Sequence, residues 1–285
     1  MNVLSYLGRG IAHERAGIPC QDALSHRICE NGNWVMALAD GAGSARWAAE
    51  AAQSNVHAIM EYFDTFSLVE FADMEPQLRS QTLAEVCMAC LKDLQQKLEE
   101  PDLRHLSATL VFAVVSQAYI LLGHLGDGMA VALDAQGNTV LYSGPEQVDG
   151  NERATYFTSS AGAAGHLRLH LLERSKNNVD HIVLTSDGAY DMFRNRGSGD
   201  PLATVRELQH YVNQQGMAKN HELADVLNQM AEIAVERMDD WSVVVWSEAA
   251  EHTCQLPPAL PHSMLEDEQE KYAAQNDEEW GGEYV

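Results

Sequence analysis

The sequence predicts an α+β fold in which an antiparallel β core is covered by helices. Strand candidates rich in β-branched and aromatic residues follow one another with only short turns between them, as at residues 116–117 and 135–138. Such short connections produce antiparallel hairpins. The strict alternation of strands and helices that marks a parallel doubly wound sheet is absent. Helices predicted from apolar spacing would therefore pack on the outside of an antiparallel core.

Each predicted element rests on its own pattern. Seven segments are predicted strands: WVMALA (34–39), SATLVFAVV (107–115), AYILLGHLG (118–126), AVALD (130–134), TVLYS (139–143), HIVLTS (181–186) and WSVVVWS (241–247). Four segments have apolar residues at helical spacing: 47–63, 80–98, 202–212 and 223–234. In the second of these, Cys87 and Cys90 fall on the apolar stripe, so core packing explains this C-x-x-C pair better than redox chemistry.

The chain changes character after about residue 249. The segment LPPALP (256–261) favours extended geometry, and residues 251–285 contain nine carboxylates against one lysine. We therefore expect one globular domain over residues 1–248 and a mobile acidic tail over residues 249–285.

Composition excludes several functional classes. The formal net charge of -24 disfavours a nucleic-acid partner or an anionic membrane partner. No segment approaches the roughly 20 apolar residues that a membrane span needs. The five cysteines are odd in number and irregularly placed, which argues against a secreted disulfide framework and favours a cytoplasmic location.

The most informative pattern is a repeated strand ending. Three apolar strands end in Asp-Gly, and a fourth strand is preceded by Asp-Asp; these pairs are Asp40-Gly41, Asp127-Gly128, Asp187-Gly188 and Asp239-Asp240. In an antiparallel sheet the end of one strand lies beside the start of its neighbour, so the four acidic positions are predicted to gather at one edge. Any single Asp-Gly is more often an ordinary turn, but three together with an Asp-Asp are less easily dismissed.

Gathered carboxylates need a cation, because nearby like charges raise one another's pKa. An all-oxygen set suits Mg²⁺, Mn²⁺ or Ca²⁺ rather than zinc or copper. Glycine beside the aspartate allows close backbone approach, which could free the Gly41 carbonyl to act as a ligand. Two such ions can activate a water and hold an oxyanion substrate, which predicts hydrolysis of a phosphate ester.

Two other phosphate chemistries fit the sequence poorly. The strand, glycine turn and helix at residues 37–52 resemble a dinucleotide cradle, but Arg46 takes the position of the third small residue, and no strand precedes Asp64 to supply the acidic residue. A cysteine-based phosphatase would need an arginine six positions after its cysteine, which none of the first four has. His124 lies in the apolar strand LGHLG, so we expect it to pack in the core rather than to bind a metal.

Six ordered motifs resemble the metal-dependent PP2C-type serine/threonine protein phosphatases, in particular a bacterial branch of small members. The resemblance covers nearly all of residues 1–248, and its motifs are CQDA (20–23), ALADGAGS (37–44), SATLVFAVV (107–115), LGHLGDG (122–128), LTSDGAYDMF (184–193) and MDDWSVVVW (238–246). The resemblance implies a four-layer α/β/β/α sandwich: two packed antiparallel sheets flanked by helices, with a two-metal centre at one end.

The resemblance also implies metal ligands. Asp40 would bridge two Mn²⁺ or Mg²⁺ ions, the Gly41 carbonyl would add a ligand, and Asp187 and Asp239 would bind the first ion. Asp127 would help to hold a third, weaker ion.

The same resemblance implies how catalysis would proceed. Gln21 and Asp22 would bind and orient metal-held waters, and Asp22 would join Asp40, Asp187 and Asp239 in the catalytic set. The nucleophile would be a water or hydroxide that bridges the two ions, and the substrate would be a phosphoprotein made by a cognate Ser/Thr kinase.

Three departures from the family pattern lie near this centre. Gln21 stands where the family usually has Glu, Ala42 occupies the place of a histidine proposed as general acid in eukaryotic members, and Asp240 replaces the usual Asn. These departures motivate a rival hypothesis: a pseudophosphatase that binds a phosphoprotein or a metal without turnover. The retained carboxylates favour the enzyme, because crowded charges are costly to keep without an ion.

The phosphate-binding arginine of the family is also missing. It normally lies four residues before the Glu, where this chain has Gly17. Arg15 or His13 would have to bind the phosphate instead, across a longer loop.

Overall fold

The computed structural model describes residues 2–146, 155–194, 201–215, 220–233 and 239–248. The strands are β1 (Asn2–Gly8), β2 (Asp22–Ile28), β3 (Trp34–Asp40), β4 (Leu110–Val115), β5 (Tyr119–Leu125), β6 (Met129–Leu133), β7 (Thr139–Ser143), β8 (Arg168–Glu173), β9 (His181–Thr185) and β10 (Trp241–Ser247). The helices are α1 (Ile11–Ala16), α2 (Ala48–Thr65), α3 (Leu68–Asp73), α4 (Pro76–Lys97), α5 (Ala163–His166), α6 (Asp187–Arg194), α7 (Pro201–Gln215) and α8 (Asn220–Ile233), with a 3₁₀ turn at Leu103–Leu106. The predicted acidic tail lies outside the described residues.

The strands form two five-stranded sheets in which every described pairing is antiparallel. The first sheet has the order β1-β10-β9-β6-β7 and the second β2-β3-β4-β5-β8. Both predicted hairpins are present, β4-β5 and β6-β7. In the second hairpin the Asp134 side chain accepts hydrogen bonds from the backbone of Gln136 and Asn138, which closes the turn.

Three apolar layers hold the sandwich together. The sheets face each other through residues such as Leu38, Val111 and Trp246. Helices α2 and α4 cover the outer face of the second sheet, and α6, α7 and α8 cover that of the first. Because the central strands are covered on both faces, β4 reads LVFAVV without a polar residue. Burial of each large apolar side chain contributes about 1.5–3 kcal/mol to the stability of the fold. The four-layer α/β/β/α sandwich expected from the resemblance is confirmed.

The sequence patterns located every interior strand and missed three outer strands. All seven predicted strands and all four predicted helices are present, although strand β4 begins at Leu110 rather than at Ser107. Strands β1, β2 and β8 were not predicted. They are three of the four outer strands of the two sheets, and their burial patterns are mixed. None of the helices in the described part of the chain is long and apolar enough to span a membrane.

Candidate metal centre

Four strand ends carry the aspartates of the repeated motif to one end of the sandwich. Asp40 is the last residue of β3, Asp127 lies in the β5-β6 turn, Asp187 begins α6 directly after β9, and Asp239 precedes β10. Carboxylate oxygens of Asp40, Asp127 and Asp187 all lie within 4.8 Å of one another. Strands β9 and β10 are antiparallel neighbours, so the end of one brings Asp187 beside the start of the other at Asp239.

These carboxylates strongly perturb one another. Burial is the largest cause that raises the pKa of Asp40 well above its ordinary value, and the charge of Asp187 is the next. Burial likewise raises the pKa of Asp187, and the charges of Asp127 and Asp239 raise it further. The pKa of Asp127 is raised chiefly by burial, with Asp239 among the charges that contribute. The four aspartates therefore form one electrostatic cluster, which is unfavourable without a compensating cation.

Asp22 adds a fifth carboxylate behind this cluster. It begins β2 and lies opposite Asp40 in the β2-β3 register. It is only 4% exposed, and burial raises its pKa to about 6, although the nearby Ser186 and Ser242 hydroxyls lower it in part.

Unpaired oxygens show that the site suits a hard cation. Within the described structure, both oxygens of Asp22, one oxygen of Asp127 and the side-chain oxygen of Gln21 are buried without a hydrogen bond of normal geometry. Buried acceptors are rarely left unpaired in proteins. An all-oxygen set of unpaired acceptors fits Mg²⁺ or Mn²⁺.

The glycine of each Asp-Gly pair serves close packing. A Cβ on Gly41 would lie 2.4 Å from the Ala48 carbonyl oxygen in the first turn of α2. A Cβ on Gly128 would lie 2.4 Å from the Thr185 carbonyl oxygen. Any side chain at these positions would push apart the backbone segments that bring the aspartates together.

Gly188 plays the same part at the fourth strand. A Cβ there would lie 2.2 Å from the carbonyl oxygen of Asp240. This contact keeps the start of α6, which carries Asp187, against the start of β10. The glycines of the repeated motif are thus explained by backbone approach at the cluster.

Asp240 organises the connection between β1 and β2. It is 1% exposed, and its carboxylate accepts hydrogen bonds from the backbone N–H of Gly10 (2.7 Å) and of Gln21 (2.6 Å). It also bonds to Nδ1 of His13 at 2.7 Å. His13 therefore lies at the edge of the cluster, with a ring nitrogen within 4.8 Å of an oxygen of Asp239. Arg15, the other candidate for phosphate binding, is exposed on α1.

The structure adds an acidic residue that the sequence reasoning did not assign. Asp191 lies one helical turn after Asp187 on α6, and its charge is among those that raise the pKa of Asp127. The apolar residues Ala189, Met192 and Phe193 have helical spacing, and this pattern predicts the helix that carries Asp191. Ala42 offers no polar side chain, and its backbone N–H bonds to the Ser107 carbonyl.

A family comparison covers most of this framework. The family model described as protein phosphatase 2C matches residues 9–228. The chain belongs to the protein phosphatase 2C family. The match includes the connection that carries His13, the Asp40-Gly41 turn and both Asp127 and Asp187.

Solved structures of similar fold agree with this family assignment. A bacterial serine phosphatase is 14% identical, with a TM-score of 0.60, and the match covers 89% of this chain and 100% of that one. The serine/threonine phosphatase PstP/Ppp of Mycobacterium tuberculosis is 19% identical, with a TM-score of 0.54 and coverage of 86% and 97%. RsbX, solved in complex with magnesium, is 13% identical, with a TM-score of 0.50 and coverage of 85% and 92%. At these identities the similarity shows the fold, and comparison with curated proteins gives no significant match.

Proposed function

We propose that this protein phosphatase 2C family member is a Mn²⁺- or Mg²⁺-dependent phosphatase that hydrolyses phosphoserine and phosphothreonine in proteins. The observation that carries the proposal is the convergence of Asp40, Asp127, Asp187 and Asp239, whose mutual repulsion calls for divalent cations. The family assignment and the fold, shared with bacterial phosphatases, support the phosphoprotein substrate.

The ligand roles are those that the resemblance to the family implies. Asp40, Asp187 and Asp239 would hold the two ions, and Asp127 would help to hold a further, weaker one. When bound, such ions supply Lewis acidity, which lowers the pKa of a water and neutralises phosphate charge. The magnesium complex of RsbX supports the choice of a hard cation.

Gly41 can offer its carbonyl because the neighbouring ladder does not use it. Gly41 forms an isolated β-bridge with Ala108. On one side of this bridge the Thr109 N–H donates to the Asp40 carbonyl, and on the other the Ala42 N–H donates to the Ser107 carbonyl. This pattern leaves the Gly41 carbonyl outside the ladder. The proposal assigns it to the metal centre as a ligand.

Gln21 and Asp22 would hold and orient waters at the centre. The buried, unpaired oxygens of both side chains are acceptors, as an ordered water requires. Gln21 keeps an acceptor where the family usually has a carboxylate, but it supplies one negative charge fewer.

His13 is the better supported candidate for binding the substrate phosphate. With Nδ1–H donating to the buried Asp240, His13 could bind a phosphate oxygen only through Nε2–H of the doubly protonated ring. The Asp240 carboxylate fixes the orientation of the His13 ring, as a carboxylate behind a metal-binding histidine does.

The proposal extends to the cellular setting. A phosphoprotein substrate requires a Ser/Thr kinase that installs the phosphate, so we expect a cognate kinase. The cysteines that the structure describes, Cys20, Cys29, Cys87 and Cys90, are free thiols, which supports a reducing compartment such as the cytoplasm of a bacterium.

Turnover of a phosphopeptide is the decisive experiment. The purified full chain should hydrolyse a phosphothreonine peptide in millimolar Mn²⁺, lose activity when EDTA is added, and recover it when Mn²⁺ is restored. Asp40→Asn and Asp187→Asn should be inactive while their circular dichroism spectra remain native. If the wild-type chain binds Mn²⁺ by calorimetry but releases no phosphate, the pseudophosphatase hypothesis replaces the enzyme.

A further inference from the structure

A buried asparagine interrupts the apolar face of α2. Asn55 is fully buried, with Ala51, Ala52, Val56 and Ile59 around it on the face that packs against the second sheet. A polar side chain in such surroundings costs free energy unless its hydrogen bonds are satisfied. The helical spacing would place an apolar residue at this position, so the amide needs a reason.

The amide of Asn55 joins two segments that are far apart in sequence. Its nitrogen donates to the Thr158 hydroxyl (2.8 Å) and to the Thr109 carbonyl (3.2 Å), and its oxygen accepts from the Thr158 hydroxyl (3.0 Å). The backbone N–H of Thr158 donates to the Ala108 carbonyl at 3.0 Å. Asn55 and Thr158 therefore hold the 108–109 segment from two sides.

Thr109 passes this constraint to Asp40. The Thr109 hydroxyl accepts from the backbone N–H of Asp40 at 3.0 Å, and the Thr109 N–H donates to the Asp40 carbonyl at 2.8 Å. Ala108 bridges Gly41 in the next register position. The backbone on both sides of the Asp40 carboxylate is thus tied to residues 108–109.

Thr109 also packs against the segment that carries Asp127. Gly126 has φ +118, and a Cβ there would lie 2.6 Å from the Thr109 methyl group. One threonine therefore contacts the backbone of Asp40 and the residue that precedes Asp127. A shift of Thr109 would therefore change the distance between the segments that carry Asp40 and Asp127.

We propose that Asn55, Thr109 and Thr158 are positioning residues that set the metal affinity of the centre by fixing the spacing of Asp40 and Asp127. This inference rests on the proposed function, because it assigns the cluster to metal ions. None of the three is among the proposed metal ligands. They act through the backbone of the ligand-bearing segments, and outer partners of this kind typically change metal affinity about 10- to 100-fold when removed.

The experiment measures Mn²⁺ binding by isothermal titration calorimetry on the full chain, alongside the melting temperature of the metal-free protein. Thr109→Val and Thr158→Val preserve side-chain shape and remove one hydroxyl each. Both should weaken Mn²⁺ binding about tenfold. Thr158→Ser keeps the hydroxyl and should bind Mn²⁺ like the wild type.

Ser116 supplies a matched control at the opposite end of β4. Its hydroxyl accepts from the backbone N–H of Tyr119 (3.0 Å) and donates to the Tyr119 carbonyl (3.1 Å), as Thr109 does with Asp40. Ser116→Ala should lower the melting temperature and leave Mn²⁺ affinity unchanged. A kinetic readout should agree: for both valine variants the Mn²⁺ concentration for half-maximal activity should rise, while kcat at saturating Mn²⁺ stays close to wild type.

Two results would overturn the inference. One is an unchanged Mn²⁺ dissociation constant in Thr109→Val and Thr158→Val despite lower melting temperatures, which would leave these residues a structural role only. The other is an equal loss of affinity in Ser116→Ala. If Thr109→Val does not fold, Thr158→Val decides alone, since its backbone bond to Ala108 is retained. Failure of the wild type to bind Mn²⁺ would instead refute the proposed function.

Discussion

At the scale of single residues, the aspartates of the cluster work against the stability of the metal-free protein. Burial and neighbouring charges raise the pKa of Asp40 and of Asp187 well above the ordinary value, so their ionised forms are less favourable in the folded state than in the unfolded state. The same carboxylates would become favourable once cations lie between them. Function and apo stability therefore make opposite demands on these positions.

Asp187→Asn tests this opposition directly. The amide keeps an oxygen that can accept the Gly188 N–H but removes one buried charge. We expect the melting temperature in EDTA to rise by a few degrees, while the additional rise that Mn²⁺ produces in the wild type disappears. Differential scanning calorimetry with and without Mn²⁺ measures both effects. A variant less stable than the wild type in EDTA would contradict the account.

His13 and Arg15 can be separated by substitution. His13 is held by Asp240 beside the cluster, with 15% of its side chain exposed, whereas Arg15 is exposed on α1. Loss of a charge-assisted contact to phosphate should cost about 1.5–3 kcal/mol, so His13→Ala should raise KM for a phosphopeptide by roughly tenfold or more. Arg15→Ala should change KM by less than about twofold. The reverse order would move the phosphate contact to Arg15.

Sequence reasoning found part of the site and stopped where local pattern carries no information. The Asp-Gly endings predicted that Asp40, Asp127 and Asp187 converge, and their carboxylate oxygens do lie within 4.8 Å of one another. Because β3 and β9 belong to different sheets, the packing of the two sheets, and not pairing within one sheet, brings them together. The choice between His13 and Arg15 stayed open because the loop conformation depends on the distant Asp240. Asn55 went unnoticed because its partners are about 50 and 100 residues away, a separation that helical periodicity does not encode.

At the scale of elements, non-local pairing decided which strands could be predicted. Interior strands such as β4 are apolar throughout, and their sequence alone predicts them. Strand β1 pairs with β10 at the far end of the chain, and β2 begins with the buried Asp22, which strand propensity disfavours. Their formation depends on the partner strand rather than on a local apolar run.

Packing between elements is also where the glycines act, and Gly188→Ala tests that role. The new methyl group would lie 2.2 Å from the Asp240 carbonyl oxygen, so α6 and the start of β10 must separate. Overpacking of this kind costs about 1–3 kcal/mol, and the displacement of Asp187 from Asp239 should weaken Mn²⁺ binding as well. Urea unfolding and calorimetric titration measure the two effects.

Gly165→Ala is the control for Gly188→Ala. Gly165 lies in α5, and no atom outside its chain neighbours and its own helix backbone is within 4 Å of the position a Cβ would take. An alanine there should leave stability unchanged or raise it by up to about 1 kcal/mol, because alanine favours the helix. Equal destabilisation by the two alanines would show that close approach at Gly188 is not the cause.

At the scale of the whole molecule, the two sheets enclose a histidine whose titration couples to global unfolding. His124 is fully buried between the sheets, where Nδ1 lies 3.0 Å from both the Ser143 hydroxyl and the Arg168 guanidinium. Because the guanidinium can only donate, His124 accepts at Nδ1 and is neutral. Burial, followed by the charge of Arg168, lowers the pKa of His124 from 6.5 to about 3.

The sign of the resulting pH dependence follows from proton binding. Between about pH 6.5 and pH 3 the unfolded chain protonates this histidine and the folded chain does not, so acidification favours unfolding. The buried carboxylates act in the opposite direction. Asp22, with a pKa raised to about 6, binds its proton in the folded state first, so its contribution to apo stability grows as pH falls from about 6 towards 4.

His124→Asn separates the two effects, because the variant keeps every carboxylate and places an amide oxygen near the position of Nδ1. Its unfolding free energy should be lower than that of the wild type at neutral pH, owing to the smaller side chain. Below about pH 6.5, however, the difference in unfolding free energy between the wild type and the variant should shrink by up to about 1.4 kcal/mol per pH unit. Urea unfolding in EDTA from pH 7.5 to pH 5 measures the difference between the two proteins, in which the carboxylate contributions cancel. Parallel pH profiles would mean that His124 is protonated inside the fold, and the neutral, Arg168-bound state described here would be wrong.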